Sequence, residues 1–196
     1  TVPKNGNWYN WEIGTPMQLN DIVVLLYDQL SDDQIANYMS AVNRFSAKVS
    51  MTGANRLWKA QVVAVSGVIT KNSAKIADAR DGLSPVFLYV DSGDGFYEDG
   101  SFIQHLKHPY NGGYGKALLL TLSKLMYLLG GSSWDVIDPN AIQVYEWVYR
   151  AFEPLIYRGD MMDMVRGREI ARSMQDGHFP GHTVIESTIR LAQFAP

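Results

Sequence analysis

The chain has 196 residues, a formal net charge of −3 and no cysteine. That length holds one domain with a substantial core and falls short of two comfortable ones. The charge argues against a general nucleic-acid binder, which needs a basic surface. The lack of thiols excludes a disulfide framework and a cysteine nucleophile or ligand.

The chain starts at Thr1 with neither an initiator Met nor a signal-peptide pattern and stops just after the amphipathic run Val184 to Phe194. We therefore expect a processed or excised piece of a longer protein. No run approaches the roughly 18 apolar residues of a membrane span. The aromatic share is 12%, with five Trp and eleven Tyr, which suits either a large core or a surface that stacks sugar rings. Trp8-Tyr-Asn-Trp11 concentrates such rings near the start, as core packing or as a stacking platform.

Apolar spacing predicts helices through most of the chain. Pro16 to Leu30 carries Leu19, Ile22, Val23, Leu26 and Leu30 on one face, and Ser31 with Gln34 forms a capping-box pattern before Ile35, Tyr38, Met39 and Val42. Asn55 to Thr70 is a third helix. Ser73 to Val90 is a fourth, with Gly82 and Pro85 in its middle. Asp91 to Gly100 reads as an irregular loop. Further helices are predicted over Gly115 to Leu129, Pro139 to Tyr157, Asp160 to Met174, and His182 to Phe194 after the breaker 177–181. About eight helices with short connections imply antiparallel neighbours. An all-α fold follows, either an α/α toroid or a plain bundle or solenoid.

Three stretches carry chemistry. Asn55 follows Gly53 and Ala54 where a helix begins, as an N-cap or as a neutral donor to a carboxylate. His105 and Tyr114 lie nine residues apart across a Pro- and Gly-rich loop, and both groups trade protons. Tyr110 competes for the phenol role, and His108 before Pro109 reads as structural. Arg168 and Arg172, four apart on the predicted helix, form either a solvated basic face or a clamp for a carboxylate or sulfate. An amide, an imidazole, a phenol and a guanidinium are the parts needed to remove a proton beside a carboxylate. Such a set requires no metal and no nucleophile, and no metal or cofactor is expected. His178 and His182 have the spacing of a helical zinc pair, but Pro180 and Gly181 are expected to break the helix, and no third ligand is near in sequence. Glu12, Asp94, Asp99 and Asp163 are weak candidates for the carboxylate pair of a glycoside hydrolase.

Asn-Trp-Tyr-Asn-Trp-Glu-Ile-Gly (7–14), Thr-Gly-Ala-Asn-Arg (52–56), Asp-Gly-Ser-Phe-Ile-Gln-His (99–105), Gly-Gly-Tyr-Gly (112–115) and Met-Asp-Met-Val-Arg-Gly-Arg (162–168) occur in this order. Together they make the chain resemble polysaccharide lyase family eight, which includes hyaluronate, chondroitin AC and xanthan lyases. The resemblance implies that residues 1–196 are part of an α/α-toroid catalytic domain, an incomplete toroid of antiparallel helix pairs. It also implies that the β-sandwich domains which follow in the family lie beyond this sequence. It further implies a secreted bacterial enzyme that cleaves an acidic polysaccharide by β-elimination, with hyaluronan or chondroitin ahead of xanthan.

In that scheme Asn55 neutralises the uronate carboxylate, and Tyr114 takes the C5 proton and returns it to the leaving oxygen. His105 assists, and Arg168 steadies the charge. Trp8, Tyr9, Trp11, Arg56 and Arg172 would bind substrate. The family's supporting glutamate falls beyond this sequence. The expected partners are the polysaccharide and the protein's own downstream domains, with neither nucleic acid nor membrane. Alternatives are a toroid glycoside hydrolase and a non-catalytic glycan-binding segment.

Overall fold

The computed structural model describes residues 5–172 and 176–195, in two compact units. The first comprises Thr1–Met51 with Asn55–Leu83; the second comprises Thr52–Ala54 with Ser84–Pro196. No helix among the described residues is long and apolar enough to cross a membrane.

In the first unit a π-helical turn over Asn10–Gly14 leads into α1 (Thr15–Leu25), where Pro16 occupies the first turn and its missing N–H costs nothing. Helix α2 (Asp32–Ser46) opens on the predicted capping box. The Ser31 hydroxyl accepts the Gln34 N–H at 3.3 Å, and the Gln34 side chain accepts the Ser31 N–H at 2.9 Å. Val23, Ile35, Met39 and Val42 pack with Val62 and Ile69 of α3 (Gly53–Ile69) into the core. The buried face of α1 differs from the expected one. Ile22 and Leu26 are exposed, and the amide of Asn20 is buried, donating to the Val62 carbonyl at 2.9 Å. Helix α1 also stops at Leu25, and a 3-10 turn covers Tyr27–Gln29.

The helix predicted over 73–90 is two helices, α4 (Ser73–Asp81) and, in the second unit, α5 (Ser84–Phe87). A proline has no N–H to donate, and its ring clashes with the carbonyl four residues back, so Pro85 ends the first helix and is accommodated only near the start of the second. The loop expected over 91–100 contributes β1 (Gly95–Phe96) to a three-stranded antiparallel sheet with β2 (Phe102–Gln104) and β3 (His108–Pro109). Gly95 faces Ile103, and Gln104 faces His108. Phe96 and Phe102 turn inward, and Phe96 stacks on Trp147 at 4.1 Å.

A π-helical turn over Asn111–Gly115 then feeds α6 (Lys116–Leu129). The leg 139–155 is a 3-10 turn, α7 (Gln143–Trp147) and further π and 3-10 turns. Helix α8 (His178–Leu191) follows. Side-chain contacts give the directions. Lys116 lies over the Phe179 ring, Ser123 accepts from Arg190, and Phe194 abuts Gly130, so α6 and α8 run parallel. Between them in sequence, Tyr145 donates to the Phe194 carbonyl at one end, and Ala151 accepts from Asn111 at the other. The leg therefore runs opposite to both helices, the alternation expected of antiparallel helix pairs.

Two expectations fail after residue 155. The helix predicted over 160–174 is instead a hairpin of β4 (Ile156–Tyr157) and β5 (Asp160–Met161), followed by 3-10 turns over Asp163–Val165 and Gly167–Ala171. Its last two residues, Ser173 and Met174, lie outside the described residues. Gly167, at φ +56°, interrupts any continuous helix, and Arg172 is extended, so Arg168 and Arg172 do not share a helical face. In contrast, α8 begins at His178 with Pro180 in its first turn. Proline is tolerated there because that N–H is unpaired in any helix, so Pro180 and Gly181 do not break it. The rings of His178 and His182 lie 5.6 Å apart on this helix. Among the described residues no three His, Cys, Asp or Glu side chains converge as a metal site. The chain leaves for this excursion at Met161, whose N–H donates to the Gly177 carbonyl at 2.9 Å, closing its base.

Removing the capping hydroxyl tests the first unit. Ser31→Ala should lower stability by about 1 kcal/mol, read from urea unfolding, because it strands the Gln34 N–H.

Candidate active site

His105, Tyr114 and Arg168 meet in the second unit. Tyr114 sits in the π turn that feeds α6, and its half-buried phenol oxygen accepts from Nη2 of Arg168 at 3.0 Å. The guanidinium carbon lies 5.9 Å from the same ring's centre. The exposed His105 imidazole stands edge-on to the Tyr114 ring, with centroids 4.9 Å apart and planes at 82°. His105, His108, Pro109, Tyr110, Met164, Gly167 and Arg168 line a cleft of about 360 Å³. His108, read as structural, sits in edge strand β3 and faces this cleft.

The two phenols differ in burial. Tyr110 is only 4% exposed, and its hydroxyl accepts the Arg168 backbone N–H at 3.1 Å. Its ring packs against Gly167, where a Cβ would come within 2.4 Å of it. Tyr110 is thus a spacer, and Tyr114 is the phenol left accessible, its ring edge-on to Tyr110 at 5.0 Å.

Lys116, two residues past Tyr114, donates to the Glu169 carboxylate at 3.0 Å, and Glu169 directly follows Arg168. Both side chains are largely buried, at 8% and 14% exposure. This pair ties the turn carrying the phenol to the turn carrying the guanidinium. Arg172 approaches the other Glu169 oxygen at 4.0 Å. The sequence offers Tyr110 only as a rival phenol and does not mark this ion pair, for which the charged Lys116 at the head of an apolar helix is the available signal.

The remaining candidates belong to the first unit. Asn55 lies in the first turn of α3, not at a non-helical cap position. Arg56 donates from Nε to the Met51 carbonyl at 2.8 Å and from Nη1 to the Gly82 carbonyl at 3.1 Å, and burial lowers its pKa. Trp8 is 45% exposed and edge-on to Tyr9, which in turn meets Trp58 at 5.7 Å. Trp11 tilts against Phe45 at 5.3 Å, and its Nε1 donates to the Asn5 carbonyl at 2.8 Å.

The four carboxylates weighed for hydrolysis are all engaged by the protein. Glu12 pairs with Lys59, and Asp163 pairs with Arg166. Asp94 accepts from Thr52, Gln104 and Leu106. The Ser101 backbone N–H, and then its hydroxyl, hold the Asp99 carboxyl below its usual range, which makes it a poor proton donor near neutrality.

Truncating one partner of the buried pair should be costly. Lys116→Met strands the Glu169 carboxylate and should destabilise by about 3 kcal/mol, whereas Lys116→Met with Glu169→Leu should recover most of that loss in urea unfolding.

Residues 1–196 match the family model described as polysaccharide lyase family 8, N terminal alpha-helical domain. A xanthan lyase of Bacillus sp. (strain GL1) is 54% identical over 192 residues, 97% of this chain and 21% of that protein. A hyaluronate lyase of Thermasporomyces composti is 46% identical, over 96% of this chain and 25% of that protein. The structure of chondroitin AC lyase from Streptomyces coelicolor A3, in complex with chondroitin sulphate, superposes with a TM-score of 0.95 at 43% identity, over 100% of this chain and 28% of that one. The chain thus spans about a fifth to a quarter of the length of these curated relatives. With a match along its whole length, this chain belongs to polysaccharide lyase family 8, to the N-terminal helical domain of that family.

Proposed function

We propose that the protein carrying this chain cleaves a uronate-containing polysaccharide by β-elimination, and that this segment supplies its proton-transfer groups. The observation that carries the reading is the Arg168 N–H held at 3.0 Å from the Tyr114 oxygen, beside the His105 ring, where His105 and Arg168 line a cleft. A phenol is a weak base near neutrality. The Arg168 N–H and positive charge face the phenol oxygen, where the negative charge of the base form resides.

The C5–H bond breaks toward the Tyr114 oxygen, and its electron pair moves onto the uronate carboxylate as an enolate. That pair then forms the C4–C5 double bond as the C4–O bond breaks, and the leaving oxygen takes the proton from Tyr114. Asn55 donates to the uronate carboxylate, where charge accumulates as C5 loses its proton. One well-placed donor of this kind is worth about 3–4 kcal/mol. His105 assists the transfer, and Arg168 steadies the developing charge.

Trp8, Tyr9 and Trp11 form an aromatic surface suited to stacking sugar rings, with Trp8 the most open of the three. Arg172, 4.0 Å from the Glu169 carboxylate, adds a cation that binds substrate. Arg56 braces the start of α3, because two of its nitrogens already bond backbone carbonyls. The substrate also needs the protein's downstream domains, which close the cleft, and secretion suits a polymer too large to enter a cell. The engagement of Glu12, Asp94, Asp99 and Asp163 disfavours the two-carboxylate chemistry of a hydrolase. Among substrates, hyaluronan and chondroitin fit a simple uronate chain. A second reading, xanthan, is favoured by the 54% identity to a xanthan lyase.

The test is ultraviolet absorbance of the full-length protein with hyaluronan, chondroitin and xanthan, since elimination leaves a conjugated double bond. A rise with one polymer identifies both reaction and substrate; new reducing ends without absorbance would mean hydrolysis. Tyr114→Phe should abolish turnover while leaving polymer affinity nearly intact, and full activity in that variant would remove the proton-transfer role.

A further inference from the structure

Two side chains outside the cleft, one buried and one half-buried, reach the segments that carry the candidate site. Gln104, fully buried at the end of β2, immediately precedes His105. His105 and Leu106 have φ of +56° and +71°, a left-handed backbone that residues bearing side chains seldom adopt. Asp94 holds that turn: its Oδ1 accepts the Leu106 N–H at 2.8 Å. Its Oδ2 accepts from Nε2 of Gln104 at 2.6 Å and from the Thr52 hydroxyl at 2.8 Å. The other end of the same amide, Oε1 of Gln104, accepts the Ala54 N–H at 3.2 Å, and Ala54 leads directly into Asn55. Gly53, at φ +52°, makes the approach possible, since a Cβ there would sit 2.2 Å from Oε1.

We propose that Asp94 and Gln104 are positioning residues for the elimination, setting the backbone twist that places His105 against Tyr114 and fixing the peptide that introduces Asn55. The inference deepens the lyase reading and rests on it. Its physical core is polarity. An ionised carboxylate only accepts, an amide NH₂ only donates, and an amide oxygen only accepts, so the relay from Leu106 through Asp94 and Gln104 to Ala54 is satisfied in a single arrangement. The three bonds span 2.6 to 3.2 Å, and each fixes a backbone atom or the amide of its neighbour. A loop bearing consecutive left-handed residues is thereby held without glycine.

The same polarity supplies the test in the full-length protein. Gln104→Glu sets carboxylate against carboxylate, and Asp94→Asn sets NH₂ against NH₂. Together the two substitutions restore the match with roles reversed: the new carboxylate accepts from both Ala54 and the new amide, whose oxygen keeps the Leu106 N–H, while the Thr52 hydroxyl turns to accept. Each single variant should lower kcat at least about tenfold with KM within about twofold, and the double variant should return to within about threefold of the parent. Assays run well below each variant's unfolding midpoint, measured alongside. Unchanged kcat in the single variants, with only the midpoint lowered, would reduce the pair to a fold brace and overturn the proposal. So would a double variant no better than its parents. Tyr114→Phe in the same assay separates the two ideas. Its full activity would bring down the proton-transfer role of Tyr114 and this inference with it. An inactive Tyr114→Phe beside fully active Asp94 and Gln104 variants would overturn the positioning role alone.

Discussion

The ring of Tyr110 sets the spacing of the whole candidate site. It lies buried against Gly167, takes the Arg168 backbone N–H on its hydroxyl, and presents its edge to Tyr114. A ring is rigid and has few rotamers, so a contact made through it defines distance better than a flexible chain would. The phenol and the guanidinium come from elements 54 residues apart in sequence, and no backbone pairing joins them. The Lys116–Glu169 ion pair closes the same two turns from the far side. One neutral wedge and one charged clasp thus stand where a sheet or a helix pair would otherwise be needed.

Charge is distributed to match. The protein is acidic overall, yet the cleft is lined by two imidazoles and a guanidinium. The acidic groups nearest in sequence to the site residues are engaged elsewhere: Asp94 on donors of its own network, Asp99 on Ser101, Asp163 on Arg166 and Glu169 on Lys116. The ion pairs to Arg166 and Lys116 offset the charges of Asp163 and Glu169 locally while leaving the net charge unchanged. The local field, not the total charge, governs approach of a charged ligand.

Much of this was legible in sequence. Period-3.6 patterning located α2, α3 and α6, and Ser31 with Gln34 marked a boundary because a capping box is a local device. The resemblance, carried by five short motifs, implies one site for Asn55, His105, Tyr114 and Arg168; the structure brings the last three together in the second unit, and Asn55 lies in the first. What stayed hidden depends on context that spacing does not encode. The segment 160–172 has helical composition, but Gly167 takes a left-handed φ to clear the Tyr110 ring, a contact 57 residues back along the chain. Pro180 was read as a breaker because proline's effect depends on its position in the helix, and that position follows from where α8 begins. Asp94 looked like turn chemistry, and nothing local reveals that its carboxylate faces the amide of Gln104.

The excursion that bears Arg168 departs at Met161 and is fastened at its base by the bond to Gly177. That bond joins the two ends of the excursion, so the register of α8 is set at the neck and not by what the insert carries. A side-chain exchange at Met164 or Arg168 would alter what the cleft presents while leaving α8 and the turn that bears Tyr114 in place.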